Sequence, residues 1–393
     1  MPSEPEPENP NERFKARRDK ARQRRRQQRT VALAILIVAA ALVALGATWI
    51  GTRDSHGGNG GKQAVTPKKK KSKPEPRPFP AEVRGVHVTM ALASIPGKLE
   101  EYLAISGLNT IELDIKDENG EVGFLLPAGT LARDIGASKP YYKAKAAAAK
   151  AHAAGVYLIG RVVVFEDPVL SSKRPDLAIR TSGGGVWQNN AGLGWSNPYD
   201  RRVWDYNLEI AMAAAKAGFD EIQLDYVRFP SDGPLEEAVF AKKVDEPMAW
   251  TITRFVHYAS TKLKPLGVRL SVDVFGLSAT HELGIGQKPG RLAKYVDAVY
   301  PMVYPSHYNS GEFNLPDPSA VPGQTVALSL RDFNNAMVGE KAMLIPWLED
   351  FSLSGGSRPA SEVQAQIDAA RRSNAKGFLL WNPEGIYTEE VLK

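Results

Sequence analysis

The sequence predicts an α/β protein whose main part, residues 81–393, is a (β/α)8 TIM barrel. Three observations carry that expectation. Strand-like and helical stretches alternate after residue 80, which implies a parallel sheet, and eight such units fit a barrel. Several strands follow a Gly or Asn that closes the preceding helix (AAGVYLIG, AGFDEIQ, PLGVRLSV, NAKGFLLW). Three strands place polar side chains on one parity and carry an aspartate toward their C-terminal side. The alternative, a doubly wound open sheet, usually has a Gly-rich phosphate loop after its first strand, and VRGVHVTMALAS has none.

Residues 1–30 are Pro/Glu-rich and then strongly basic, the composition of a solvated tail. Residues 31–50 (VALAILIVAAALVALGATWI) hold no charge and match the ~20 residues of a membrane-spanning helix. A cleaved signal peptide has an apolar core of only ~7–15 residues, so an uncleaved anchor is expected. Ten Lys/Arg precede this run and five occur in the twenty residues after it. The excess places the N-terminus in the cytoplasm and everything beyond residue 50 outside the membrane. Residues 51–80 read as a Gly-, Lys- and Pro-rich linker.

Residues 1–80 carry 18 Lys/Arg and 7 Asp/Glu, a net +11 against +6 for the chain, which leaves the barrel domain at −5. Nothing in that charge favours nucleic acid. There is no cysteine, hence no disulfide or thiol chemistry. The six histidines form no HxH or HExxH pair and no EF-hand-like loop occurs, so neither a metal nor another cofactor is expected.

The predicted strands are Val83–Val88, Thr110–Lys116, Val156–Phe165, Glu221–Val227, Arg269–Phe275, Ala298–Tyr304, Ala342–Trp347 and Gly377–Trp381. Helices are expected at 143–154, 204–217, 248–264 and 360–373. In the second strand Glu112, Asp114 and Lys116 oppose Ile111, Leu113 and Ile115. In the fourth, Gln223 and Asp225 oppose Ile222 and Leu224. In the fifth, Ser271 and Asp273 oppose Leu270, Val272 and Val274. In a barrel the apolar parity meets the helices and the polar parity lines the interior near the mouth.

An acidic mouth points to glycosidic-bond hydrolysis, which needs two carboxyl groups about an oxocarbenium-like transition state. Asp225 and Asp273 end neighbouring strands, whose axes lie ~4.8 Å apart, so they are the first pair. Glu349, just after the seventh strand, is a second candidate acid. Arg161, Arg228 and Lys116 near the same mouth offer the competing reading of a structural ion pair, and Asp114 with Lys116 is also placed to hold substrate or tune Asp225. Gln223, Tyr226, Trp187, Trp195, Tyr300, Tyr304, Trp381 and His87 supply the planar and aromatic surfaces a sugar site uses. Trp187 and Trp195 serve equally well as the core of the long loop 166–203.

The stretch GFDEIQLDYVRFP (218–230) resembles the hallmark of a glycoside hydrolase family with a TIM-barrel domain, first defined as a domain of unknown function. RGVHVT, NTIELDIKDENGEVGF, GRVVVFEDP, WSNPYDRRVWDYN, LSVDVFG, VYPMVYPSHY and GFLLWNP extend the likeness over nearly all of 81–393. The resemblance implies a membrane-attached or secreted hydrolase of polysaccharide, and Asp225 as nucleophile by analogy with α-amylase-like barrels. Those enzymes usually carry a Glu acid/base on the fifth strand, where this chain has Asp273, with Glu349 as the fallback. A non-catalytic glycan-binding module is the alternative. A metal-dependent esterase is disfavoured by the scattered histidines.

Overall fold

The computed structural model describes residues 74–353 and 355–393. The predicted tail (1–30), anchor (31–50) and most of the linker lie outside the described residues. Among the described residues no helix is long and apolar enough to cross a membrane.

The eight predicted staves form a closed, all-parallel barrel. Nine strand segments build it: β1 (Val83–Val88), β2 (Thr110–Lys116), β3 (Tyr157–Val163), β4 (Glu221–Asp225), β5 (Arg269–Phe275), β6 (Ala298–Met302), β7 (Met343–Leu344), β8 (Trp347–Glu349) and β9 (Gly377–Trp381). Pairing runs from β5 through β1 to β9, β8 and β6, and the β5–β6 ladder closes the ring. The open-sheet alternative is thereby excluded. The seventh stave is broken because Pro346 has no N–H for the ladder. β7 pairs with β6, while β8 pairs with both β6 and β9.

The period-2 pattern divides the core. Ile111, Leu113, Ile222, Leu224, Leu270 and Val272 face outward into one large cluster with the helices. Val83, Tyr157, Ile159, Tyr300, Ile345, Trp347 and Leu379 fill the interior as a second cluster. Each fully buried Leu or Ile contributes about 1.5–3 kcal/mol relative to exposure. The helix Arg201–Ala217 shows how one wall is made. The Asp200 side chain accepts from Arg202 N–H, and Val203, Tyr206, Asn207, Ile210, Ala211 and Ala214 repeat at helical spacing on the buried face. Gly218, at φ 106°, ends the helix and releases the chain into β4.

Three predicted strands are shorter than expected: β3 starts at Tyr157 and ends at Val163 instead of Phe165, and β6 ends at Met302 instead of Tyr304. β4 stops at Asp225, two residues early, because Tyr226 takes a left-handed φ of 50°. At the Pro-rich end of the predicted linker the Phe79 ring packs tilted against Tyr157 at 5.7 Å, and Arg77 reaches Val156 O and Asp220 at the N-terminal ends of β3 and β4. The chain thus enters at the barrel's closed end, opposite the mouth.

Candidate active site

The mouth is assembled from the C-terminal ends of the staves. β2, β3 and β4 bring Asp114, Arg161 and Asp225 into register, since Asp114 pairs with Arg161 and Arg161 with Gln223, two residues before Asp225. Arg161 donates through Nε (2.9 Å) and Nη2 (2.7 Å) to Asp225 Oδ2, and through Nη1 (2.8 Å) to Asp114 Oδ1. Burial works against the guanidinium charge, but Asp225, Asp114, Glu118 and Glu112 hold its pKa well above the ordinary value. The left-handed turn at Tyr226 aims that residue's N–H at Asp225 Oδ1, 2.6 Å away.

β5 places Asp273 next to Asp225, one step beyond the Leu224–Val272 pair. Asp273 is 2% exposed. Gln223 Nε2 (2.6 Å) and Trp347 Nε1 (2.8 Å) both donate to its Oδ1. Burial, then the charges of Asp225 and Glu112, push its carboxyl well above the usual carboxylate range. The two neighbouring carboxyls therefore sit in opposite settings, one against a cation and the other in a low-dielectric niche.

Beside them His87 Nδ1 pairs with Glu112 Oε2, and His87 Nε2 lies 3.7 Å from Asp114. Burial lowers the His87 pKa, but Asp114 and Glu112 more than reverse this and the net shift is upward. Across the mouth, Trp381 stacks on Tyr304 (5.4 Å, 29°), and Phe351 meets both rings edge-on. His307 adjoins Tyr304 and Phe351. Trp381 and His307 are half-buried and keep a face toward solvent. Among the described residues no group of three or more His, Asp or Glu is placed to hold a metal ion.

The structure thus brings together Asp225, Asp273, Asp114, Arg161, Gln223, Tyr226 and His87, with Tyr304 and Trp381 on the aromatic side. It moves six predicted residues out of the cleft. Lys116 is fully buried on the helix side of a register shift in β2, paired with Asp167 at 2.6 Å and with Asn207. Trp187 is fully buried and donates to Pro234 O, so it pins the loop after β3 to the loop after β4. Trp195, 1% exposed, has no free face for a sugar. Arg228 is enclosed by Trp195, Tyr226 and Phe275 at 4.6–5.1 Å. Tyr300 lies deep in the barrel beside Glu221. Glu349 turns to Arg358 Nε (3.2 Å) and Ser306 N–H (2.9 Å), and with Arg358 lines a separate cavity of about 440 Å3. Sequence reasoning missed Glu112 and Trp347 as parts of the site. The inward parity of Glu112 was visible in β2. That of Trp347 was hidden by the break at Pro346.

Fold and site together define a TIM-barrel protein with paired carboxyls at its mouth. A family model described as "Putative glycosyl hydrolase domain" matches residues 85–387, and the chain belongs to that family. A hypothetical protein from Ruminiclostridium thermocellum ATCC 27405 is 37% identical, covering 48% of this chain and 97% of its own, with a TM-score of 0.44. The glycoside hydrolase domain of PgaB (BpsB) from Bordetella bronchiseptica is 14% identical, covering 77% and 94%, with a TM-score of 0.54, a likeness of fold. An alpha-galactosidase from Thermus thermophilus is 13% identical, covering 81% and 61%, with a TM-score of 0.48. No curated protein matches the chain.

Proposed function

We propose that this protein hydrolyses a cell-surface or environmental polysaccharide by a two-carboxyl, retaining mechanism, with its barrel held outside the membrane by residues 31–50. The observation that carries this is the contrast between Asp225, gripped by Arg161, and its neighbour Asp273, driven toward the neutral acid by burial. Asp225 attacks the anomeric carbon while the glycosidic C–O bond breaks and its electron pair stays on the leaving oxygen. Asp273 gives its proton to that oxygen. Asp273 then takes a proton from water, the water oxygen bonds to the anomeric carbon, and Asp225 leaves as carboxylate. Arg161 and Tyr226 N–H orient Asp225, while Trp381 and Tyr304 offer the stacking surface. The uncharged run 31–50 and its basic flank support the anchor.

The test is release of reducing sugar from purified polysaccharides by the full chain, with the anomer of the first product read by NMR. Retained configuration supports the mechanism; inversion replaces Asp225 as nucleophile with a water-activating base. The two-pronged grip of Arg161 on Asp225 also suits a glycan-binding module, and binding without release of sugar from any polymer decides for that reading. Protease protection of intact cells distinguishes an outward barrel from an inward one.

A further inference from the structure

The mouth holds one more device, and it concerns a single proton. We infer that Trp347 is a positioning residue: together with Gln223 it fixes the acid proton of Asp273 on Oδ2. The inference rests on the reading of Asp273 as the general acid and adds how that acid is aimed. Both donors converge on Oδ1, at 2.8 Å from Trp347 Nε1 and 2.6 Å from Gln223 Nε2. An indole N–H can only donate. In the neutral acid that this reading requires, the oxygen that already receives two N–H groups is the carbonyl oxygen, so the proton goes to the other one. Among the described residues Gln223 and Trp347 are the side chains that donate to the Asp273 carboxyl, both to Oδ1. Trp347 is itself held rigidly. It is 3% exposed, begins β8 directly after Pro346, and sets its ring edge-on to His87 at 6.4 Å and 72°.

The experiment is infrared spectroscopy of the full chain with 13C-labelled aspartate carboxyls at neutral pH. The difference between wild type and Asp273→Asn isolates the Asp273 band. A protonated C=O stretch that moves to higher wavenumber in Trp347→Phe, and again in Gln223→Met, is the expected result, because each variant removes a donor from the C=O oxygen. A band unmoved by Trp347→Phe, or a carboxylate band in wild type, overturns the inference whatever the protein hydrolyses. Kinetics give a second readout. Trp347→Phe should lose about tenfold to a hundredfold on a phenyl glycoside and little on its 2,4-dinitrophenyl counterpart, which needs no protonation. Equal losses on both mark a merely structural Trp347. If Asp273→Asn also loses equally on both in kcat/KM, which reports only the step that breaks the glycosidic bond, the acid assignment fails instead.

Discussion

Glu221 and Asp273 are buried carboxyls on neighbouring staves, both directed into the barrel, at different heights. Glu221 begins β4 near the closed end, where the Tyr157 hydroxyl donates to it at 2.9 Å. Burial pushes it up to about 7 despite the hydroxyls of Ser271, Tyr157 and Tyr300 around it. Asp273 sits near the open end, and burial followed by the charge of Asp225 pushes it well above the usual carboxylate range. A raised pKa therefore marks burial at both levels and a candidate site at only one. What separates them is company. Asp273 has a second carboxyl beside it and a cation behind that one, whereas Glu221 is fully buried among hydroxyls.

The largest effect expected of this contrast is on turnover. Asp225→Asn should lower kcat by more than about 10^3-fold, while Glu221→Gln stays within about twofold in the same assay. Substantial activity in Asp225→Asn would remove the mouth as the reaction centre. Asp273→Asn should cost about 10^2–10^4-fold on the polymer. Because the acid works protonated, wild-type kcat/KM should fall as pH rises through a pKa well above the usual carboxylate range, and that limb should vanish in the variant. A limb that persists would assign it to another group.

At the closed end the effect is on stability. Glu221 titrates near 4.5 when exposed and at about 7 when folded. Below both values it is protonated in both states, and its contribution is fully present. As pH rises from about 4.5 to 7 the unfolded chain loses the proton first, so stability falls, by about 3 kcal/mol in all, and levels off above 7. Chemical denaturation across that range should show a slope in wild type that is shallower by this amount in Glu221→Gln, while Asp117 and Asp350, also raised by burial, keep the remainder. The smallest effect belongs to the aromatic wall. Trp381→Ala should raise KM about tenfold or less with kcat nearly unchanged, the size of one lost stacking contact. An equal fall in kcat would put Trp381 among the groups that touch the reacting atoms.

Much of the barrel was legible because it is written in short-range code. β1, β2, β5 and β9 match their predicted limits, since period 2 and flanking turn residues are local properties. The seventh stave was misread because a six-residue apolar run does not reveal that its proline will divide it. Within the site, Asp114, Asp225 and Asp273 were visible by parity alone. Lys116 shares their parity in sequence, yet the register shift in β2 carries it to the helix side, where Asp167 and Asn207 receive it. Trp187 and Trp195 read equally well as platforms or as core, and burial chose core.

By itself the sequence determined the alternation of strands and helices, which face of each strand is polar, and at which strand ends the acids stand. Those features follow from spacing along the chain. Only the tertiary structure decided which acid gains a cation, which is pushed upward by burial, and which oxygen receives the Trp347 and Gln223 donors. Arg161 acts on Asp225 across 64 residues and Trp347 on Asp273 across 74. No local pattern encodes contacts at that separation, because they exist only once the ring has closed.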